Sequence, residues 1–136
     1  MKFEVTDIIT ETDKNTVYQG LVEYNLSKLE DKNPKELGIY HKIDGNIKAG
    51  LIGETHGNWL EVEYLWVSEE LRGQGIGSKL LKCAEKTAVD RGCTHCFLNT
   101  FGFQAPEFYK KYGYEEVFVL NNFPVSGKRH FYIKSL

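Results

Sequence analysis

The sequence lacks an excess of positive charge. Its 136 residues contain 17 Lys and Arg against 19 Asp and Glu, which gives a formal net charge of -2 at pH 7. Proteins that bind nucleic acid or anionic membranes usually concentrate positive charge, because contacts to phosphate supply most of the non-specific affinity. We therefore expect neither nucleic acid nor a membrane surface among the partners of this protein.

Long apolar runs are missing as well. The apolar stretches are short and interrupted by charged residues, and the N-terminal segment MKFEVTDIIT carries Glu4. A membrane-spanning helix needs about 20 predominantly apolar residues, and a signal peptide needs an apolar core of its own. The sequence predicts a cytoplasmic protein that forms one domain, residues 1–136, since this length suits a single hydrophobic core.

Cysteine is scarce, with three residues in the chain. Two of them, Cys93 and Cys96, have the C-x-x-C spacing of zinc and redox sites. No second Cys or His pair lies at a matching distance, and the pair opens an apolar run typical of a strand, in which residues three apart face opposite sides. We expect no metal site and no disulfide framework.

Apolar periodicity divides the rest of the chain into strands and helices. The clearest helix pattern runs from Ile76 to Arg91, and Gly92 provides its stop. Another helix should start near Lys14, capped by Asp13, with an apolar pattern over 14–31, and a short one should cover 106–113. The predicted strands are 3–9, 37–43, 47–54, 59–67, 94–100, 114–120 and 129–134.

A glycine-rich turn, Arg72-Gly73-Gln74-Gly75-Ile76-Gly77, joins the fourth predicted strand to the clearest helix. Glycines at alternate positions let the backbone approach a ligand closely and adopt positive φ. The free N–H groups at the start of a helix favour anions such as phosphate. An isolated G-x-G indicates a plain turn, but the order strand, turn, helix predicts a phosphate-binding site.

Two common phosphate-binding patterns fit this turn poorly. A P-loop requires G-x-x-x-x-G-K-S/T, which is absent, although Ser78-Lys79 follow the last glycine. A dinucleotide-binding turn reads G-x-G-x-x-G after the first strand, whereas this one reads G-x-G-x-G after the fourth. Neither an ATPase nor a nicotinamide-dependent enzyme is favoured.

Two motifs resemble the GNAT N-acetyltransferases. RGQGIG at 72–77 matches the signature Q/R-x-x-G-x-G/A, and FYKKYGY at 108–114 is similar to the family segment F-Y-x-x-x-G-F/Y. The predicted element order is similar over nearly the whole chain, although the family usually has two short helices where this chain has one pattern over 14–31. The resemblance implies an α/β (α+β) fold with a mixed central sheet of about seven strands, splayed between strands 4 and 5 and flanked by helices.

The resemblance also implies an enzyme that passes an acetyl group from acetyl-coenzyme A to an amine of a small molecule or peptide, by direct attack in a ternary complex. The alternative is a non-catalytic acyl-CoA-binding sensor or interaction module. Both a monomer and a homodimer stay open. The implied cofactor-binding residues are Leu65, Trp66, Val67, Arg72, Gly73, Gln74, Gly75, Ile76, Gly77, Ser78, Asn99 and Gln104.

The amine must lose a proton before it attacks, because amines with a pKa of ~10.4 are mostly charged at pH 7. Strict alternation along 59–67 places Glu61, Glu63, Leu65 and Val67 on one face of the strand. Either carboxylate can then take the proton through water, or both can be ordinary surface charges. They favour a cationic acceptor, which can be a small molecule, a protein N-terminus or a lysine side chain.

The leaving thiolate must gain a proton. Tyr109 matches the tyrosine that many members of the family direct at the sulfur of coenzyme A. A phenol held close to a thiolate can supply that proton, and Tyr112, three residues later, is the substitute. The expected oxyanion donor is the backbone N–H of Val67.

Overall fold

In the described residues a helix is followed by three strands, a helix, a strand, a helix and two strands. The structure, a computed structural model, describes residues 1–30 and 33–136. Contacts within the chain define two units, Met1–Lys32 and Asn33–Leu136, and each is described separately. The elements are α1 Glu11–Leu26, β1 Lys35–Ile43, β2 Asn46–His56, β3 Trp59–Val67, α2 Ile76–Asp90, β4 His95–Phe101, α3 Pro106–Lys111, β5 Glu115–Asn121 and β6 Lys128–Ser135, with a 3-10 turn at Glu69–Leu71.

The described part of the N-terminal unit, residues 1–30, contains one helix and no strand. The strand expected at 3–9 is therefore wrong, because loose alternation is compatible with any extended segment. α1 begins at Glu11, and the hydroxyl of Thr10 accepts the backbone N–H of Asp13 at 3.1 Å. Asp13 lies in the first turn and is not the cap, since Thr10 takes that position three residues earlier. Residues 31 and 32, at the end of the expected helix pattern, lie outside the described residues.

The second unit is built on a six-stranded mixed sheet with the order β1-β2-β3-β4-β6-β5. β3 and β4 are parallel, and the other neighbouring strands are antiparallel. The mixed sheet flanked by helices is confirmed, with six strands where about seven were expected. The parallel pair is the one that α2 connects, as expected for a crossover connection.

α2 packs on one face of this sheet. Its apolar stripe buries Leu80, Leu81, Ala84 and Ala88, as the 3.6-residue period predicts. Full burial of a leucine side chain stabilises a fold by about 1.5–3 kcal/mol, so this stripe holds α2 firmly in place. The packing fixes the start of α2, and with it the glycine-rich turn, at the carboxyl end of β3.

The side chain of Glu85 on α2 connects this helix to β6 and to the residue that precedes β5. Its carboxylate accepts Lys134 Nζ at 3.0 Å and the hydroxyl of Tyr114 at 2.7 Å. The ring of Tyr114 in turn meets that of Tyr109 on α3 edge-on, with centroids 5.9 Å apart. These contacts place α2 and α3 next to each other on the same face.

Cys93 and Cys96 are both buried in the core cluster. Because β4 begins only at His95, Cys93 precedes the strand, and the expectation that the two thiols face opposite sides of a strand is wrong. No group of three or more potential metal ligands occurs within 1–30 and 33–136. Over the same residues, none of the helices has the length and apolar character needed to span a bilayer.

Candidate active site

The parallel strands β3 and β4 separate part-way along their length. They pair over four positions, the last being Val62 opposite Leu98. β3 then continues to Val67 and β4 to Phe101 without further pairing between the two. A cleft of about 800 Å³ opens between these carboxyl ends. This fork confirms the splay expected between the fourth and fifth predicted strands.

Most residues predicted from the sequence line this cleft. Other lining residues come from the strands of the fork, from the loop after β4 and from α3. Glu61 and Gln74 are not among the lining residues, and the side-chain amide of Gln74 donates to the carbonyl of Glu70 at 3.4 Å. The predicted residues in the lining are Glu63, Leu65, Trp66, Val67, Arg72, Gly73, Gly75, Ile76, Gly77, Ser78, Asn99, Gln104 and Tyr109.

A β-bulge interrupts β3 at the point where the fork opens. The register on β2 shifts by one residue after Val62, which leaves Glu63 without a partner on that strand. Beyond the bulge, Leu65 packs against the same core cluster as Val62 before it. An extra residue inverts the alternation, so the predicted common face of Glu61 with Leu65 and Val67 is wrong. Glu63 lines the cleft, and Glu61 lies on the sheet face opposite the core.

Glu61, on that outer face, has the carboxylates of Glu63 and Glu54 nearby. Partial burial, together with the charges of Glu63 and Glu54, raises the pKa of Glu61 above its ordinary value. Like charges raise a carboxyl pKa because each disfavours the ionised form of its neighbour. A cation that approaches this face therefore meets an attractive potential.

The open edge of β3 has backbone groups available for a ligand. Ser68 N–H donates to the carbonyl of Lys48 at 2.9 Å, so these two residues form a hydrogen-bonded pair. Bonded and non-bonded pairs alternate in an antiparallel ladder, which places Trp66 in the next bonded pair with β2. Leu65 and Val67 consequently direct their N–H and C=O groups away from β2, towards the cleft.

The glycine-rich turn closes one end of the cleft. Gly73 and Gly75 have φ values of +79° and +78°, and Gly75 is the N-cap of α2. The hydroxyl of Ser78 donates to the Gly75 carbonyl at 2.9 Å, and Arg72 Nε donates to the Val67 carbonyl at 3.2 Å. These bonds hold the turn against the strand end with the N–H groups at the start of α2 free to receive an anion.

Gly77 on α2 faces Phe108 of α3, with room for a Cβ at ordinary contact distance. A Cβ at this position would lie 3.6 Å from the Phe108 ring and 3.8 Å from a methyl group of Val67. The ring of Phe108 meets those of Tyr109 and Tyr112 edge-on, with centroids 5.1 Å and 5.0 Å apart respectively. These aromatic residues line the cleft beside the start of α2.

Tyr109 is the most buried of the polar residues on α3, with 9% of its surface exposed. Burial, and to a smaller extent the nearby Cys96 thiol, raises its pKa to about 12. Within the described residues its hydroxyl has no hydrogen-bond partner. Tyr112 also lines the cleft, and its ring receives Lys82 Nζ at 5.7 Å and Lys111 Nζ at 5.8 Å. Tyr109 thus carries its proton at neutral pH and has no competing acceptor.

Asn99 and Gln104 line the cleft, but both have protein partners. The Asn99 carbonyl oxygen accepts Arg129 Nε at 2.6 Å. Gln104 Oε1 accepts the Phe101 backbone N–H at 2.7 Å and the Thr100 hydroxyl at 2.8 Å. Gln104 therefore shapes the turn after β4, and Asn99 orients a guanidinium.

Several lining residues were not assigned to the site from the sequence, among them Phe101, Phe108 and Arg129. Phe108 belongs to the FYKKYGY motif and was recognisable as part of it. Arg129 lies in the alternating strand pattern RHFYIK, where nothing marks it apart from the neighbouring charged residues. Its role depends on the pairing of β6 with β4, a contact between segments some thirty residues apart in sequence.

Comparison with known proteins agrees with this geometry. The model of the Acetyltransferase (GNAT) family matches residues 4–114. The acetyltransferase Atu2258 of Agrobacterium fabrum (strain C58 / ATCC 33970) is 35% identical over 118 residues, 86% of each chain. The blasticidin-S acetyltransferase of Streptomyces morookaense is 37% identical over 93 residues, 68% of each chain. A crystal structure from Agrobacterium tumefaciens superposes with a TM-score of 0.94, at 31% identity over 100% of both chains.

The fork, the glycine turn and the family match define an acyltransferase. The chain belongs to the GNAT acetyltransferase family. It is an acetyl-CoA-dependent N-acetyltransferase, an enzyme that transfers an acetyl group from acetyl-coenzyme A to an amine.

Proposed function

We propose that acetyl-coenzyme A binds in the fork between β3 and β4, with its pyrophosphate at the glycine-rich turn. The observation that carries this proposal is the unpaired edge of β3, whose Leu65 and Val67 backbone groups face a cleft closed by two glycines of positive φ. An extended amide-containing arm can pair with such an edge like an added strand. The amides at the start of α2 suit phosphate oxygens because they are free and carry partial positive charge.

The positions of the β3 residues in the cleft suggest a separate role for each of them. The N–H of Val67 faces the cleft and serves as donor to the developing oxyanion of the thioester carbonyl. Trp66 pairs its backbone with β2, so it contributes its side chain to the cleft wall, and Leu65 supplies the N–H and C=O groups for pairing with the extended arm. Gln74 does not line the cleft, so any contact that it makes with the cofactor is through its backbone.

Tyr109 is the proposed general acid. Its proton is to be passed to the coenzyme A sulfur as the C–S bond breaks. The surroundings that raise the Tyr109 pKa to about 12 also raise that of the neighbouring Cys96 thiol to about 12. Burial in these surroundings therefore keeps the proton on the phenol oxygen until a thiolate forms next to it.

Glu63 is the proposed entry point for the proton that the amine loses. It lines the cleft at the bulge, whereas Glu61 lies outside the lining on the same strand. A carboxylate at the mouth of the cleft attracts a cationic amine and can accept its proton through a water molecule. The acceptor class that fits is a cationic amine of a small molecule or peptide.

Glu63→Gln should lower kcat/KM by roughly tenfold below neutral pH, since the amine is then mostly charged and most in need of a base. The difference from the parent enzyme should shrink as the pH approaches the amine pKa of ~10.4. Initial rates over a pH series at saturating acetyl-coenzyme A measure the effect. Glu61→Gln is the matched control and should retain most of the activity. Equal losses for both variants, or an unchanged pH profile for Glu63→Gln, would show that the bulge carboxylate does not assist.

Acetyl-coenzyme A should raise the melting temperature of the free protein, whereas ATP and nicotinamide cofactors should leave it unchanged. A ligand that binds only the folded state at a hundred times its Kd stabilises that state by about 2.7 kcal/mol. Thermal unfolding followed by fluorescence, with millimolar ligand, measures the shift. A shift with ATP and none with acetyl-coenzyme A would contradict the proposed cofactor site.

A further inference from the structure

Arg129 on β6 is held rigidly at the wall of the cleft. Its Nε donates to the side-chain oxygen of Asn99 at 2.6 Å. The guanidinium carbon lies 5.3 Å from the ring centroids of both Phe101 and Phe123. Those two rings stack on each other with centroids 5.7 Å apart. One hydrogen bond and two aromatic contacts therefore fix the plane of the guanidinium.

This cation has no carboxylate partner in the part of the chain that the structure describes. A guanidinium is charged at every physiological pH and offers five N–H donors, of which the Asn99 contact uses one. The two terminal nitrogens of a guanidinium match the two oxygens of a carboxylate, an arrangement that gives strong and directional hydrogen bonds. Arg129 is thus pre-organised for an anion that the folded chain does not supply.

The anion is not the pyrophosphate of the cofactor, because Arg129 lies on the other face of the sheet. Leu98 and Thr100 are buried on the α2 side, so their neighbours Asn99 and Phe101 face away from it. Arg129 is directly opposite Phe101 in the β4–β6 register and therefore shares its face. The glycine-rich turn begins α2 and belongs to the opposite side.

The carboxylate of Glu63 lies on β3, across the cleft from the β4 residue Asn99 that holds Arg129. Leu98 and Val62 form the last pair between β3 and β4, and the next residue on each strand is Asn99 and Glu63 respectively. Asn99 carries the guanidinium of Arg129, so a negative and a positive group border the mouth of the same cleft. A ligand that bears both an ammonium and an anionic group complements both branches.

We propose that the acceptor is an amine that also carries a carboxylate, with Arg129 binding the carboxylate and Glu63 facing the amine. The inference rests on the proposed function of the cleft as an acetyl-transfer site. The class it identifies is that of amino acids and their derivatives with a free carboxylate. Arg129 is the specificity-determining residue, and Asn99 with the two phenylalanines positions it.

Matched acceptors test this inference. Amino acids and the corresponding carboxamides are compared by thiol release from acetyl-coenzyme A, with kcat/KM expressed per neutral amine so that differences in amine pKa cancel. The parent enzyme should prefer the acid about tenfold or more. Arg129→Gln should lower kcat/KM for the acid by about 10- to 100-fold, mainly through KM, and leave the carboxamide within about twofold. Arg129→Lys should fall in between, because it keeps the charge but loses the planar donor pair.

Lys128→Gln is the control for charge alone, since Lys128 neighbours Arg129 on β6 but is exposed and outside the cleft lining. It should preserve the preference for the acid. Equal use of acid and carboxamide by the parent enzyme, or an equal loss for both with Arg129→Gln, would overturn the assignment and make Arg129 a packing residue. Transfer to carboxamides alone overturns this inference but leaves the proposed function intact. If no amine of either kind is acetylated, the proposed function fails and this inference fails with it.

Discussion

Tyr109→Phe is expected to lower kcat by about 10²–10⁴, the range usual for loss of a general acid, with acetyl-coenzyme A affinity close to that of the parent enzyme. Phenylalanine keeps the ring contacts with Phe108 and Tyr114. The lost hydroxyl has no hydrogen-bond partner within the described residues, so the substitution leaves no buried group unsatisfied. Steady-state kinetics together with cofactor titration measure the two effects, and kcat and kcat/KM should fall together, as for an interaction made only in the transition state.

The pH dependence provides a second signature of the same group. With a pKa raised to about 12 by burial, Tyr109 keeps its proton throughout the range in which the enzyme can be assayed. The general acid therefore should not cause a decline in rate on the alkaline side below about pH 11. A decline with an apparent pKa near 10 that disappears in Tyr109→Phe would identify Tyr109 as the titrating acid but would contradict the raised pKa.

Tyr112→Phe is the matched control for Tyr109→Phe. Tyr112 is the C-cap of α3, three residues after Tyr109, and also lines the cleft. Its hydroxyl is expected to contribute little to the rate, so its removal should change kcat by no more than a few-fold. If Tyr112→Phe loses the rate and Tyr109→Phe does not, the roles are reversed and Tyr109 is a packing residue.

Gly75→Val should abolish stabilisation by acetyl-coenzyme A, and Gly75→Ala should weaken cofactor binding by about 10- to 100-fold, the equivalent of losing one or two hydrogen bonds to a charged group. Gly75 has a φ of +78°, which side chains with a Cβ rarely adopt. In the free protein a Cβ there would meet only Ser78 Oγ, at 3.9 Å. The added side chain therefore fits in the free protein apart from the backbone strain. A loss of acetyl-coenzyme A affinity larger than this strain explains would indicate that the side chain occupies the space of the cofactor phosphates.

Gly45→Ala separates backbone strain from blocked binding. Gly45 lies in the turn between β1 and β2, has the same φ of +78°, and has no atom within 4 Å of an added Cβ. Both alanine variants should lower the melting temperature of the free protein to a similar degree. Only Gly75→Ala should lose cofactor affinity, as measured by titration calorimetry. Parent-like affinity in folded Gly75→Ala and Gly75→Val proteins would place the phosphate site elsewhere.

Local patterns predicted the elements on which the cleft is built. The 3.6-residue stripe of α2 defined its buried face, and the alternating glycines at 73 and 75 marked the turn that takes positive φ. Each of these features depends on residues a few positions apart, so the sequence contains the necessary information. The FYKKYGY motif likewise placed Tyr109 in the cleft lining.

Features that depend on distant partners were not predictable in this way. The bulge at Glu63 arises in the pairing of β3 with β2, and it inverts the alternation that assigned Glu61 and Leu65 to one face. The strand expected at 3–9 is not formed. An alternating pattern favours extended backbone, but it does not determine whether another strand lies alongside to pair with it. Arg129 reaches the cleft only because β6 pairs with β4, which no local pattern shows.

The most direct measurement of acetyl transfer by this cleft is the simultaneous quantification of free coenzyme A and acetylated amine over a single time course. The enzyme, acetyl-coenzyme A and a panel of amines that includes free amino acids are incubated together, with thiol measured by absorbance and product by mass spectrometry. We expect thiol release that depends on the amine, saturates with it, and matches acetylated product one to one. Binding of acetyl-coenzyme A without amine-dependent thiol release from any member of the panel would contradict the account and favour a non-catalytic acyl-CoA sensor.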